Sequence, residues 1–207
     1  MSYLLRGMVI GFSIAAPVGP IGVLCIRRSL AKGRLSGFVT GMGAASADAI
    51  YGVIAAFGLT FVSSFLVEQQ LALQGVGAAF LLYLGVRALL AKANESQVGG
   101  AVQTRLITDY ASTLALTLTN PMTILSFAAV FAGLGLAEAA GDYLSAATLV
   151  LGVFLGSAGW WLLLSMGVGL VRDRIEPGIL VWVNRASGAI IIAFALVLCA
   201  SVLRELL

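Results

Sequence analysis

The stretch SIAAPVGPIGVLC, residues 13–25, lies inside an apolar run that otherwise reads as a membrane-crossing helix. Pro17, Gly19, Pro20 and Gly22 crowd its centre. A proline removes one backbone donor and frees a carbonyl in the preceding turn. In lipid, groups freed in this way are tolerated only when they are buried in protein or face a watery cavity. A helix that merely anchors a protein has no use for such a break. The segment therefore asks for a bundle with an interior.

Composition supports that demand. The chain has 207 residues, 60% hydrophobic and 10% charged, with a mean hydropathy of +1.06. Soluble domains carry about 25% charged residues, so this chain cannot cover a water-facing surface. Histidine is absent, and Cys25 and Cys199 both lie in apolar runs. This leaves no disulfide framework and no paired-cysteine redox or metal motif. The first apolar run, about 4–26, exceeds the roughly 7–15 residues of a signal-peptide core. Pro17 directly after Ala16 would also spoil cleavage, so the segment is expected to stay in the mature protein.

Spans of roughly 20 apolar residues can be marked at about 4–26, 37–66, 70–91, 110–135, 144–170 and 179–203. The expected fold is an all-α integral membrane protein, one transmembrane domain over 1–207. A polar loop divides it into halves of three spans, about 1–92 and 109–207. Arg27, Arg28, Lys32, Arg34, Arg87, Lys92, Arg105, Arg172, Arg174 and Arg185 flank the loops after spans one, three and five. Those are ten of the twelve positive residues. By the positive-inside rule these loops are cytoplasmic and both termini lie outside.

Three spans per half turn the second half upside down relative to the first, the inverted-repeat plan of many secondary transporters. The halves carry matching breaks: APVGP (16–20) in span one, and Asn120-Pro121 within TLTNPMT (117–123) in span four. Span two reads Gly37-x-x-x-Gly41-x-x-x-Ala45, and span five reads Gly152-x-x-x-Gly156-x-x-x-Trp160. Small residues at that spacing let helices approach closely. Two breaks at matching depth would place freed carbonyls and half-helix ends around one central site. The competing reading is that each proline only kinks its helix for packing.

Asp48 is the charge nearest the middle of a span. An aspartate at a helix centre costs about 2.5–3.5 kcal/mol to insert, so it should face the interior. Gly41, Ala45, Asp48 and Gly52 fall on one helical face, and Tyr51 reaches the same region. Asp48 could bind an ammonium group, carry a proton, or serve as a structural acid paired with a serine such as Ser46. Arg27, Arg28, Arg87, Asp109 and Arg185 fall near span ends, where long side chains snorkel. Trp160-Trp161 reads more readily as packing or lipid-facing than as a pathway lining.

The segments APVGPIGVLCIRRSLAKGRLSGFVTGMGAASADAIYG (16–52) and LTNPMTILSF (118–127) resemble the LysE/RhtB superfamily of amino-acid exporters. The resemblance extends over essentially the whole chain. It implies an inner-membrane exporter of amino acids or related metabolites, driven by the proton motive force. Carried over residue by residue, it points to Pro17, Gly19, Pro20, Gly41, Asp48, Asn120 and Pro121, with Tyr51 beside them. Exporters of basic amino acids in this superfamily tend to carry a second acid after the Asn-Pro, where this chain has Ser126. A neutral substrate is the better fit, its ammonium matched by Asp48 and its carboxylate by a half-helix N-terminus.

An alternative is a cation or metal-ion exporter, for which zero histidine and two separated cysteines make a poor ligand set. An intramembrane enzyme would lack a histidine or central lysine to activate a nucleophile. No cofactor, metal or nucleic acid is expected. The expected partners are an amino-acid substrate and the lipid bilayer, and a homodimer is compatible with the sequence.

Overall fold

A computed structural model describes residues 2–17, 19–56, 69–90, 102–120, 122–124, 126–127, 143–172 and 177–206. Among them are seven α-helices and no strand: α1 (Tyr3–Ala15), α2 (Pro20–Lys32), α3 (Arg34–Ala56), α4 (Gln70–Leu90), α5 (Val102–Leu118), α6 (Tyr143–Arg172) and α7 (Pro177–Leu206). Three stretches have the length and apolarity to cross a membrane: Leu71–Leu90, Tyr143–Val171 and Val181–Glu205. They match the third, fifth and sixth expected spans. A fourth arises if α1 and α2 count as one span bent by 82°.

That bend falls at the break expected within residues 4–26 and divides the stretch into two short helices. α1 has 13 residues, roughly 20 Å of helix, against a hydrocarbon core of about 30 Å. Gly19 sits in extended backbone at φ −106°, ψ −164°, and Pro20 opens α2. Proline fits there because the first helical position needs no N–H partner. The separator RRSLAKGR is not a loop. Helix α2 runs through it to Lys32, and the chain turns at Gly33, whose φ of 104° is costly for any residue with a Cβ. Helix α5 likewise starts before the expected span and ends at the Asn120 break, so Asp109 sits within a helix.

Glycines set which helices meet. A methyl group at Gly7 or Gly11 of α1 would strike the backbone of α6 at Leu149, Gly152 and Val153. One at Gly152 or Gly156 would strike α1 at Leu4, Gly7 and Met8. The two helices interlock backbone to backbone, the geometry that small-x-x-x-small spacing permits. Gly43 of α3 lies against the Tyr110 carbonyl of α5, and Gly85 of α4 faces Gly188 and Ile192 of α7. Helix α3 also packs along α6, while α2 lies against α3, α6 and α7.

Candidate functional site

The face of α3 expected to turn inward does so, against α6. Gly41 lies under the Trp161 side chain, and Gly52 faces Val150 and Val153. Asp48 is 3% exposed. The Ser157 hydroxyl donates to Asp48 Oδ2 at 2.6 Å, and Trp161 Nε1 donates to Ser157 Oγ at 3.2 Å. Gly41 thus leaves room for an indole whose N–H orients the serine that holds the acid. The partner is Ser157 from another helix, not Ser46, which donates to the Met42 carbonyl and accepts from Tyr110. Among the described residues Asp48 has no cation paired to it. One hydroxyl does not offset the cost of burying an ionised carboxylate.

Of the tryptophan pair, Trp161 is buried, and Trp160 packs edge-on against Phe12 at 5.3 Å between ring centres.

The second break meets the same region. The Leu118 carbonyl, which the interrupted helix no longer engages, accepts a hydrogen bond from Tyr51 Oη at 2.6 Å. Asn120 caps the next helical turn. Its Oδ1 accepts from the Met122 N–H at 3.2 Å, its Nδ2 donates to Thr123 Oγ1 at 3.0 Å, and its carbonyl accepts from Thr123 and Ile124. An asparagine ahead of a restarted helix does this readily. Tyr51 stacks on Phe127 at 5.5 Å. It is packed among Ile14, at the end of α1, and Leu118 and Ile124, on either side of the second break. Residues flanking both breaks therefore converge on the helix turn carrying Asp48 and Tyr51.

The remaining expected residues are less central. Pro17 is exposed at the bend, and Gly19 and Pro20 are half-buried. A Cβ at Gly19 would meet nothing within 4 Å, so open space adjoins the first break. Ser126 donates to the Met122 carbonyl of its own helix at 2.7 Å. Pro121 lies outside the described residues.

A second cluster was not anticipated. Arg28 and Asp109, assigned above to snorkelling span ends, are 6% and 2% exposed. Arg28 Nε pairs with Asp109 Oδ1 at 3.2 Å. Arg28 Nη1 donates to Thr40 Oγ1, Thr113 Oγ1 and the Asp109 carbonyl, and Nη2 donates to Ser112 Oγ. Lys32 Nζ donates to both carboxylate oxygens at 2.7 and 3.0 Å, and Ser36 Oγ donates to Oδ2 at 2.6 Å. Three helices, α2, α3 and α5, are tied at this point. The signal was present in the sequence as Arg28/Lys32 and Asp109/Thr113, both at i, i+4. It has facial meaning only once both stretches are known to be helical.

Several apolar helices long enough to cross a membrane define a multi-pass membrane protein. The chain belongs to the LysE type translocator family, whose model matches residues 12–201. A similar protein is the "Putative amino acid efflux protein YcgF" of Bacillus subtilis (strain 168), 26% identical over 201 residues, 94% of this chain and 93% of that one. No solved structure matches the chain. The family makes the chain a membrane translocator.

Proposed function

We propose that this protein is an inner-membrane secondary exporter of neutral amino acids, driven by the proton motive force. The observation that carries the reading is Asp48: buried, held by Ser157 and without a paired cation among the described residues. A buried acid facing a bundle interior is a functional site by default. The mobile cation it awaits is a proton or a substrate ammonium. Pro17, Gly19, Pro20, Asn120 and Pro121 form the two breaks around it, Gly41 seats Trp161, and Tyr51 satisfies a freed carbonyl. Ser126 stands where a second acid would suit a basic substrate.

The proposed architecture is six transmembrane helices in two inverted repeats, halves about 1–92 and 109–207, in one domain with both termini outside. Packing supports it. Exchanging spans one and four, two and five, and three and six converts the α1–α6 contact into α5–α3. The same exchange maps α3–α6 and α4–α7 onto themselves, and all four contacts are present. The relative's name supports an amino-acid substrate.

The test is Asp48→Asn, which keeps shape and hydrogen bonding and removes the titratable charge. The variant should insert and express normally and lose proton-driven export from vesicles. Counterflow then separates the roles. Loss of a proton carrier leaves substrate exchange running without a gradient, whereas loss of an ammonium site abolishes exchange too. Wild-type export by Asp48→Asn across a pH gradient would sink the proposal.

A further inference from the structure

Helix α4 contributes none of the site residues discussed so far, yet it buries a polar side chain. Gln74 is 5% exposed, and its Oε1 has no hydrogen-bond partner among the described residues. Buried polar atoms without partners are few in native proteins, and each calls for an explanation.

The register of α4 says where this side chain lies. Gln74, Ala78, Leu81 and Ala88 are its buried stripe. Gly77 shares that face one turn from Gln74, and a Cβ there would stand 3.2 Å from the Thr119 carbonyl and 3.3 Å from Thr119 Oγ1. Gln74 therefore lies within one helical turn of the second break. The preceding residue, Leu73, packs into the cluster of Tyr51, Leu118, Ile124 and Phe127. The carboxamide thus belongs to the region where Asp48 and Tyr51 meet the broken helix, and its oxygen can only accept.

We propose that Gln74 is a substrate contact that sets specificity. Its Oε1 accepts a hydrogen bond from a donor on the bound amino acid, and its lack of charge excludes a dibasic one. The idea rests on the exporter reading above. An unpaired acceptor is costly in the empty protein and is relieved by a ligand that brings a donor. Neutrality matters because a carboxylate here would give the site a second negative charge, enough to match a second ammonium.

Proteoliposomes loaded with an equimolar mixture of the standard amino acids, with efflux read by amino-acid analysis, provide the test. Gln74→Leu should raise the half-saturating concentration of the best wild-type substrate by roughly 10–100-fold, the worth of a hydrogen bond to a charged group. Its melting temperature should stay level or rise, since an apolar side chain of similar size replaces an unpaired amide. Gln74→Glu should shift export from neutral amino acids toward lysine. Unchanged half-saturation in Gln74→Leu, an unchanged lysine-to-neutral ratio in Gln74→Glu, or a melting temperature that falls in step with transport would each overturn the assignment. A wild-type protein that moves no amino acid would instead overturn the exporter reading, and this assignment with it.

Discussion

Changing Asp109 to asparagine isolates the charge of the buried cluster, because the side chain keeps its shape and one acceptor oxygen. Two ion pairs are lost. The one to Arg28 is buried on both sides, whereas the Lys32 side chain is 38% exposed. Removing one partner of a buried pair costs about 3–5 kcal/mol, since the other charge is left uncompensated. A pair that reaches water is worth about 0–1 kcal/mol. Arg28 keeps Thr40, Thr113, Ser112 and the Asp109 carbonyl as neutral acceptors, which places the total near the low end, about 3 kcal/mol. For a chain of this size each kcal/mol moves the midpoint by about 2–4 °C, so Asp109→Asn should melt about 6–12 °C lower.

Cys25 supplies the assay. It is 0% exposed and becomes reactive to a thiol dye only on unfolding, so heating in mild detergent can be followed in a Cys199→Ala background. Adding Arg28→Met removes the stranded charge and should recover part of the loss, as coupled neighbours do. A midpoint for Asp109→Asn within about 2 °C of wild type would refute the reasoning.

Two other predictions follow from the packing and charge pattern. Tyr51→Phe leaves the half-buried Leu118 carbonyl without its donor and should cost about 1 kcal/mol, read in the same dye assay; a wild-type midpoint would mean the carbonyl finds another partner. Single cysteines at Ser2 and Leu35, in a background lacking Cys25 and Cys199, test orientation. An impermeant reagent added outside intact cells should label position 2 and spare position 35, and the reverse pattern would invert every side assigned here.

Much of the site could be read along the chain because its signals are local. The apolar runs report the solvent, since lipid leaves no other fold for such segments. The prolines and glycines mark the first break, and the Gly41–Asp48 spacing defines one face of one helix. All of these hold within about a turn or two of helix, where backbone geometry alone relates one residue to another. Asn120 could be suspected as a break on the same grounds, though its role as a cap on the restarting turn could not.

Tertiary structure decided everything that depends on which helices meet. That Ser157 holds Asp48, that Tyr51 reaches the carbonyl freed by the second break, and that Gly7 and Gly11 interlock with Gly152 and Gly156 are relations between distant segments. Arg28 and Asp109 are the clearest case. Each looks like an ordinary charge at the edge of an apolar run, and such charges usually reach water. They are buried instead because α2 continues helically to Lys32 and the turn at Gly33 folds α3 back beside it, with α5 completing the enclosure. Burial of a charge is tolerable only when an opposite charge and acceptors arrive from elsewhere. Here the acid and two of the hydroxyls come from some eighty residues along the chain.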